Sequence, residues 1–140
     1  MIKKTFKGLN ISADFYFLER MSSMMASDNP VGTHVLVNVY DVPHAELLTH
    51  LDSGISTLDS IVRELQFHVV AQAGHQFSPM GYSYAYVLSE SHFTIHTYPE
   101  YKSCYIDMFC CNPAFDPVHA VQVIQQKFHT QNVRYQVTRR

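Results

Sequence analysis

The sequence lacks the marks of several large protein classes. No apolar run approaches the ~18 residues that a membrane-spanning helix needs. The basic opening Met1-Ile-Lys-Lys-Thr-Phe-Lys7 has no apolar segment behind it, so no secretory signal is read there. Cysteines number only three, Cys104, Cys110 and Cys111. That odd count, without framework spacing, argues against a disulfide scaffold and suits a reducing compartment, so a cytoplasmic location is the expectation. Charge is sparse, with ten Lys and Arg against twelve Asp and Glu, a net charge of −2. The cations are scattered and form no basic stripe of the kind nucleic acid requires. Also missing are internal repeats, low-complexity tracts, an H-E-x-x-H pattern, a paired C-x-x-C and a G-x-S-x-G elbow.

What remains is a chain of 140 residues, 46% hydrophobic, enough for one domain around one core. His34 to Tyr40 alternates and is rich in β-branched residues, which predicts a strand. Residues 44–66 place Leu47, Leu48, Leu51, Ile55, Leu58, Ile61, Val62 and Leu65 at helical spacing, with Ser53-Gly54 as the expected interruption. Phe67 to Ala73 reads as a strand, and Gly74 to Gly81 as a loop. Tyr82, Tyr84, Tyr86 and Leu88 share one face of a further strand. Tyr101 to Cys110 alternates again. Asp116 caps a helix that opens with Pro117, and Val133 to Val137 closes the chain as a strand. The order predicts an α+β two-layer sandwich, a mainly antiparallel sheet with helices packed on one face. Turn chemistry at Ser27 to Gly32 sets a boundary, giving an N-terminal extension 1–31 and a domain 32–140. Within the extension, residues 10–17 read as a short strand and 18–26 as a helical turn or two.

The stretch richest in proton-handling groups is Leu88 to Glu100. It holds Ser89, Ser91, His92, His96, Glu90 and Glu100. Taken blandly, it is a polar-faced strand beside a turn that Pro99 stops. Taken functionally, Ser91 is a nucleophile and His96 moves its protons. Strict alternation puts those two on opposite faces, so a bulge, a kink or a partner strand must intervene if they cooperate. His92 and His96, with His34 or His75, could be arranged as zinc ligands. Without the usual motifs no metal is expected. A thiol enzyme on Cys110 or Cys111 is conceivable, although buried cysteines commonly serve as small hydrophobes.

Ser89-Glu-Ser-His-Phe-Thr-Ile-His-Thr-Tyr-Pro-Glu100 resembles the cleavage and active-site segment of the prokaryotic S-adenosylmethionine decarboxylases, pyruvoyl-dependent enzymes of spermidine synthesis. Gly32 to Tyr40, His75 to Ser83 and Asp107 to Asn112 resemble three further segments of that family, so the likeness spans about residues 32–140. Tyr98 departs from the family's tryptophan, Tyr101 to Tyr105 are bulkier than its small residues, and Asn112 replaces a glycine.

The resemblance implies a chain that makes its own cofactor. Ser91 attacks the carbonyl of Glu90, elimination cuts the chain, and a pyruvoyl group is left at the new N-terminus. His96 matches the base that takes the Ser91 Cα proton, and Ser83 the polar group beside the intermediate. The pyruvoyl ketone would take the substrate amine as a Schiff base and act as electron sink. Cys111 matches the acid that reprotonates the product. Phe77 and His96 match the groups on either face of the adenine, and Glu100 the carboxylate on the ribose hydroxyls. By residue type alone, Phe77 is a loop aromatic and Glu100 a turn carboxylate. A homodimer with active sites between protomers is implied as well, with S-adenosylmethionine as the small-molecule partner and neither nucleic acid nor membrane. Two alternatives stay open: a pyruvoyl decarboxylase of the same fold acting on arginine or ornithine, and an uncleaved homologue that binds a nucleoside or regulates a partner.

Overall fold

A computed structural model describes residues 30–140; the strand and helical turns expected within residues 10–26 lie outside them. Among the described residues, six strands make one sheet. They are β1 (Thr33–Val39), β2 (Val69–Gln76), β3 (Tyr82–Leu88), β4 (Ser91–Tyr98), β5 (Ser103–Cys110) and β6 (Val133–Arg139). Their order across the sheet is β2-β3-β4-β5-β1-β6, and every pair is antiparallel. Three helices accompany it, α1 (Glu46–Thr49), α2 (Leu51–Glu64) and α3 (Pro117–Lys127), and a 3₁₀ turn spans Pro99–Tyr101. This is the expected α+β architecture.

The period-2 pattern decides which face is buried. Val35, Val37 and Val39 of β1, Tyr82, Tyr84, Tyr86 and Leu88 of β3, and Ile106, Met108 and Cys110 of β5 all lie in the core. Leu58, Ile61 and Val62 of α2 and Val121, Val123 and Ile124 of α3 pack on them. Each large apolar side chain so buried contributes ~1.5–3 kcal/mol. α3 starts as expected: the Asp116 side chain accepts from the N–H groups of Val118 and His119. The other face of the sheet carries the alternate residues, and no described helix covers it. Leu36, Val87, Tyr98 and Tyr105 are exposed there.

Three expectations on element limits need correction. The helical stretch breaks at His50, whose φ of −126° and ψ of 134° are extended, and not at Ser53-Gly54. Gly54 lies buried inside α2 because a Cβ there would come within 2.0 Å of the Tyr82 hydroxyl, which donates to the Leu47 carbonyl. β2 starts at Val69 instead of Phe67 and runs on through Gly74 to Gln76, where a Cβ at Gly74 would come within 2.1 Å of the Tyr84 ring. β5 starts at Ser103, because the 3₁₀ turn takes up Tyr101.

Candidate active site

A two-residue turn, Ser89-Glu90, joins β3 to β4, with Leu88 paired to Ser91. Two-residue hairpins favour turns with positive φ at a central residue. Here neither Ser89 nor Glu90 has one. The positive φ falls on Ser91, at 135°. A non-glycine residue there carries strain of about 1–3 kcal/mol. The strained residue is thus the serine itself.

The peptide before Ser91 is also tied down. The Cys111 N–H donates to the Glu90 carbonyl at 3.0 Å. The Glu90 carboxylate takes the His68 N–H at 3.1 Å and a further short bond to His68 Nδ1. Burial alone would raise the Glu90 carboxyl, but the bonds from His68 outweigh it and hold Glu90 below the usual carboxylate range. Beside Glu90, His68 and Asn112 opens a cavity of about 430 Å³. Of the three thiols, Cys104 and Cys110 are buried and Cys111 is exposed. Burial pushes the Cys104 and Cys110 thiols up.

A second cluster occupies the other end of the same hairpin. Ser83 and His96 face each other across β3 and β4, with Ser83 Oγ and His96 Nδ1 2.6 Å apart. They border a shallow hollow of about 340 Å³ on the open face, floored by Ala73, Ala85 and Thr94. Phe77 is exposed in the adjacent loop, which the Phe77 N–H closes by donating to the Gly81 carbonyl at 2.8 Å. Its ring stands edge-on to His75, with centroids 4.8 Å apart. Glu100 sits exposed in the 3₁₀ turn that follows β4.

The candidate residues therefore form two groups. Ser91, Glu90 and Cys111 meet at the turn; Phe77, Ser83, His96 and Glu100 gather at the far end. From Ser91 to His96 is five strand steps, about 17 Å. The chain alone does not bring Ser91 and His96 together.

In the structure His34 and His92, two of the histidines weighed above as zinc ligands, form a third cluster with Asp107, midway across the open face. His34 Nε2 and His92 Nε2 both bond Asp107 Oδ1, at 2.6 and 3.0 Å. Arg140 donates to His34 Nδ1 at 3.1 Å. Arginine has only donors, so His34 carries its proton on Nε2 and gives it to Asp107. Burial would raise the Asp107 carboxyl; the bonds from His92 and His34 reverse this and hold it low. The three ligand atoms lie within 4.8 Å of one another and are joined by these hydrogen bonds. Asp107, on the strand between the two histidines, was not legible as their partner in the sequence.

The family model described as S-adenosylmethionine decarboxylase matches residues 33–140. The chain belongs to the S-adenosylmethionine decarboxylase family. Among relatives, the S-adenosylmethionine decarboxylase proenzyme of Clostridium botulinum is 36% identical over 95 residues, covering 68% of this chain and 81% of that protein. The proenzyme of Thermodesulfovibrio yellowstonii is 34% identical over 98 residues, covering 70% and 72%. The crystal structure of the adenosylmethionine decarboxylase from Aquifex aeolicus superposes with a TM-score of 0.72 at 24% identity, over 80% of this chain and 92% of that one, which speaks to the shared fold. In this S-adenosylmethionine decarboxylase family member, the matched region holds every candidate residue named above.

Proposed function

We propose that the chain is a self-cleaving, pyruvoyl-dependent decarboxylase of S-adenosylmethionine that works as a cytoplasmic homodimer. The family membership supports the activity. The observation that carries the site is the turn at Glu90-Ser91, where a strained serine follows a carbonyl already held by a backbone N–H.

Self-cleavage uses this chain's own atoms. Ser91 Oγ bonds to the Glu90 carbonyl carbon, and the Cys111 N–H faces the oxygen that gains charge. The Glu90–Ser91 C–N bond breaks, the nitrogen takes the hydroxyl proton, and an ester replaces the amide. A base removes the Ser91 Cα proton, the Oγ–Cβ bond breaks, and Glu90 leaves as a carboxylate. The dehydroalanine left behind tautomerises, takes up water and loses ammonia, which yields the pyruvoyl group. His96 is that base in our reading. Nε2 can accept a proton only if Nδ1 carries one, and Ser83 Oγ is placed to receive it. Relief of the strain at Ser91 favours the first step.

The residues at the turn fit such a group, because cleavage frees the N-terminus of β4 beside Cys111, an exposed residue whose N–H donates to the Glu90 carbonyl. A pyruvoyl ketone supplies an electron sink for loss of CO₂. Phe77 offers a face for adenine, Glu100 a carboxylate for the ribose hydroxyls, and Cys111 a proton for the product carbon.

A dimer completes the site. We infer that two copies lay their open faces together about a two-fold axis, so that each turn meets the partner's Ser83–His96 end. The exposed Leu36, Val87, Tyr98 and Tyr105 suit burial there. Residues 1–31 are, in this reading, an extension to the decarboxylase domain.

Intact-mass analysis of the purified protein tests the proposal. The expected products are fragments 1–90 and 91–140, the second without a free amine, and Ser91→Ala is expected to stay whole and inactive. An active, uncut Ser91→Ala protein would overturn it.

A further inference from the structure

His68 belongs to none of the motifs, yet it makes most of the contacts that fix the turn at the scissile bond. It stands just before β2, beside the end of β3. Its N–H and its Nδ1 both hold the Glu90 carboxylate. Its carbonyl accepts the Ser89 N–H at 2.9 Å and the Ser89 hydroxyl at 3.3 Å. Both turn residues are therefore tied to this one residue. The Glu90 side chain is only 13% exposed, whereas His68 is 77% exposed. An exposed ion pair by itself contributes little. Here one member is covered, and a backbone donor, the His68 N–H, joins the pair, which makes the grip directional.

The geometry around the peptide gives that grip a consequence. Glu90 has two ends held in opposite directions. Its side chain is drawn to His68, and its carbonyl accepts from Cys111, which follows β5. Together these fix the plane of the Glu90–Ser91 peptide. They also keep the positive φ at Ser91 from relaxing by rotation of the turn. A flexible turn would let the carbonyl leave the Cys111 N–H and the strain dissipate.

We propose that His68 is a positioning residue for self-cleavage: by gripping Glu90 it holds the scissile carbonyl on the Cys111 N–H and within reach of Ser91. This inference rests on the reading of Glu90–Ser91 as the cleaved bond. The step it serves is the shift of the Glu90 acyl group from nitrogen to Ser91 Oγ, not the later elimination.

The test follows the uncut fraction against time by intact mass, starting from freshly translated full-length chain. The variants are His68→Ala, His68→Asn, Glu90→Ala and the double His68→Ala/Glu90→Ala, with the parent and Ser91→Ala alongside. His68→Ala is expected to cleave roughly tenfold or more slowly, the scale of one lost bond to a charged group. His68→Asn, whose amide nitrogen stands near the position of Nδ1, is expected to recover most of the rate. The double variant is expected to be no slower than the slower single, because each removes the same grip. Hydroxylamine cuts esters but not amides, so it is expected to leave uncut His68→Ala chains whole. Parental rates in His68→Ala would overturn the proposal while leaving the cleavage reading intact. So would an Asn variant as slow as Ala, additive slowing in the double variant, or an ester accumulating in His68→Ala. Should His68→Ala fail to melt cooperatively, Glu90→Ala at the parental rate would overturn it equally. A parent that never cuts would instead overturn the reading on which the proposal rests.

Discussion

Mixing two dead variants tests whether the site is shared between protomers. Ser91→Ala removes the nucleophile and leaves the Ser83–His96 end intact. His96→Ala removes the base and leaves the Glu90-Ser91 turn intact. Each homodimer then lacks one essential group at both of its sites, and neither cuts nor turns over. A mixed dimer has one site with both native residues and one with neither. Chains that pair at random give half mixed dimers, each with one working site of two, so co-expression restores about a quarter of the parental activity. The geometry makes the converse impossible. His96 lies about 17 Å along β4 from Ser91 in the same chain, further than any side chain reaches. If the site formed within one chain, no mixture would contain an intact one. The assay is CO₂ release from carboxyl-labelled S-adenosylmethionine by co-expressed, separately tagged chains purified through both tags, which leaves only mixed dimers and raises the expected recovery to about half. Mass analysis of the same sample should find the His96→Ala chain cut and the Ser91→Ala chain whole. Activity no higher than in the homodimers, from mixed dimers that are stable in solution, would refute the shared site.

Phe77→Ala is expected to weaken use of S-adenosylmethionine by roughly 1–3 kcal/mol, the scale of base–aromatic stacking, with the rate of self-cleavage much less affected; kcat/KM and cleavage kinetics measured together check this, and equal loss of both would make Phe77 structural. Cys111→Ala, once cleaved, is expected to turn over slowly and to misdirect the product proton, so that alanine accumulates at the start of fragment 91–140, whereas the buried Cys104 and Cys110 are expected to tolerate alanine in turnover if the chains fold; fragment mass and turnover number for the three variants decide, and a dead Cys110→Ala beside a normal Cys111→Ala would transfer the role. Thr97→Val is expected to cost about 2–4 kcal/mol in urea unfolding, since the buried Thr97 hydroxyl donates to the Leu48 carbonyl and accepts the Tyr82 N–H, both at 2.8 Å, and valine strands both groups; a loss below about 1 kcal/mol would mean that those groups find other partners.

The strands were legible because alternation at period 2 survives in the sequence wherever one face is buried. Tyr82, Tyr84, Tyr86 and Leu88 show it plainly, and all four lie in the core. The helix break was not legible. Gly54 looks like a breaker by residue type, yet its smallness answers the Tyr82 hydroxyl, a group 28 positions away that only the fold brings near. At the site, spacing and resemblance marked Ser91, Glu90 and Cys111, which the structure does gather at one turn. His68 carries no local signal, because its importance comes from pairing two ends of adjacent strands. The His34–Asp107–His92 cluster is likewise a product of register: Asp107 pairs with Leu36 and Thr94, and its side chain lies between those of flanking strands.

The conflict between Ser91 and His96 is the most informative of these outcomes. An odd separation on one strand points two side chains to opposite faces. A bulge, a kink or a partner strand could reconcile them. The register from Ser83↔His96 to Leu88↔Ser91 runs without a shift, as does that from Ser91↔Cys110 to Tyr98↔Ser103. A bulge or kink inside β4 would have displaced one of them. The positive φ at Ser91 turns the first residue of the strand but shortens nothing between it and His96. A strand from another copy, as in the dimer proposed above, is the remaining way to reconcile them. In an antiparallel two-fold pairing the distance that separates the groups within a chain becomes the offset that superposes them between chains. In the proposed dimer the unbroken ladder of β4, which keeps Ser91 and His96 apart within one protomer, would hold the two halves of the site at a fixed spacing.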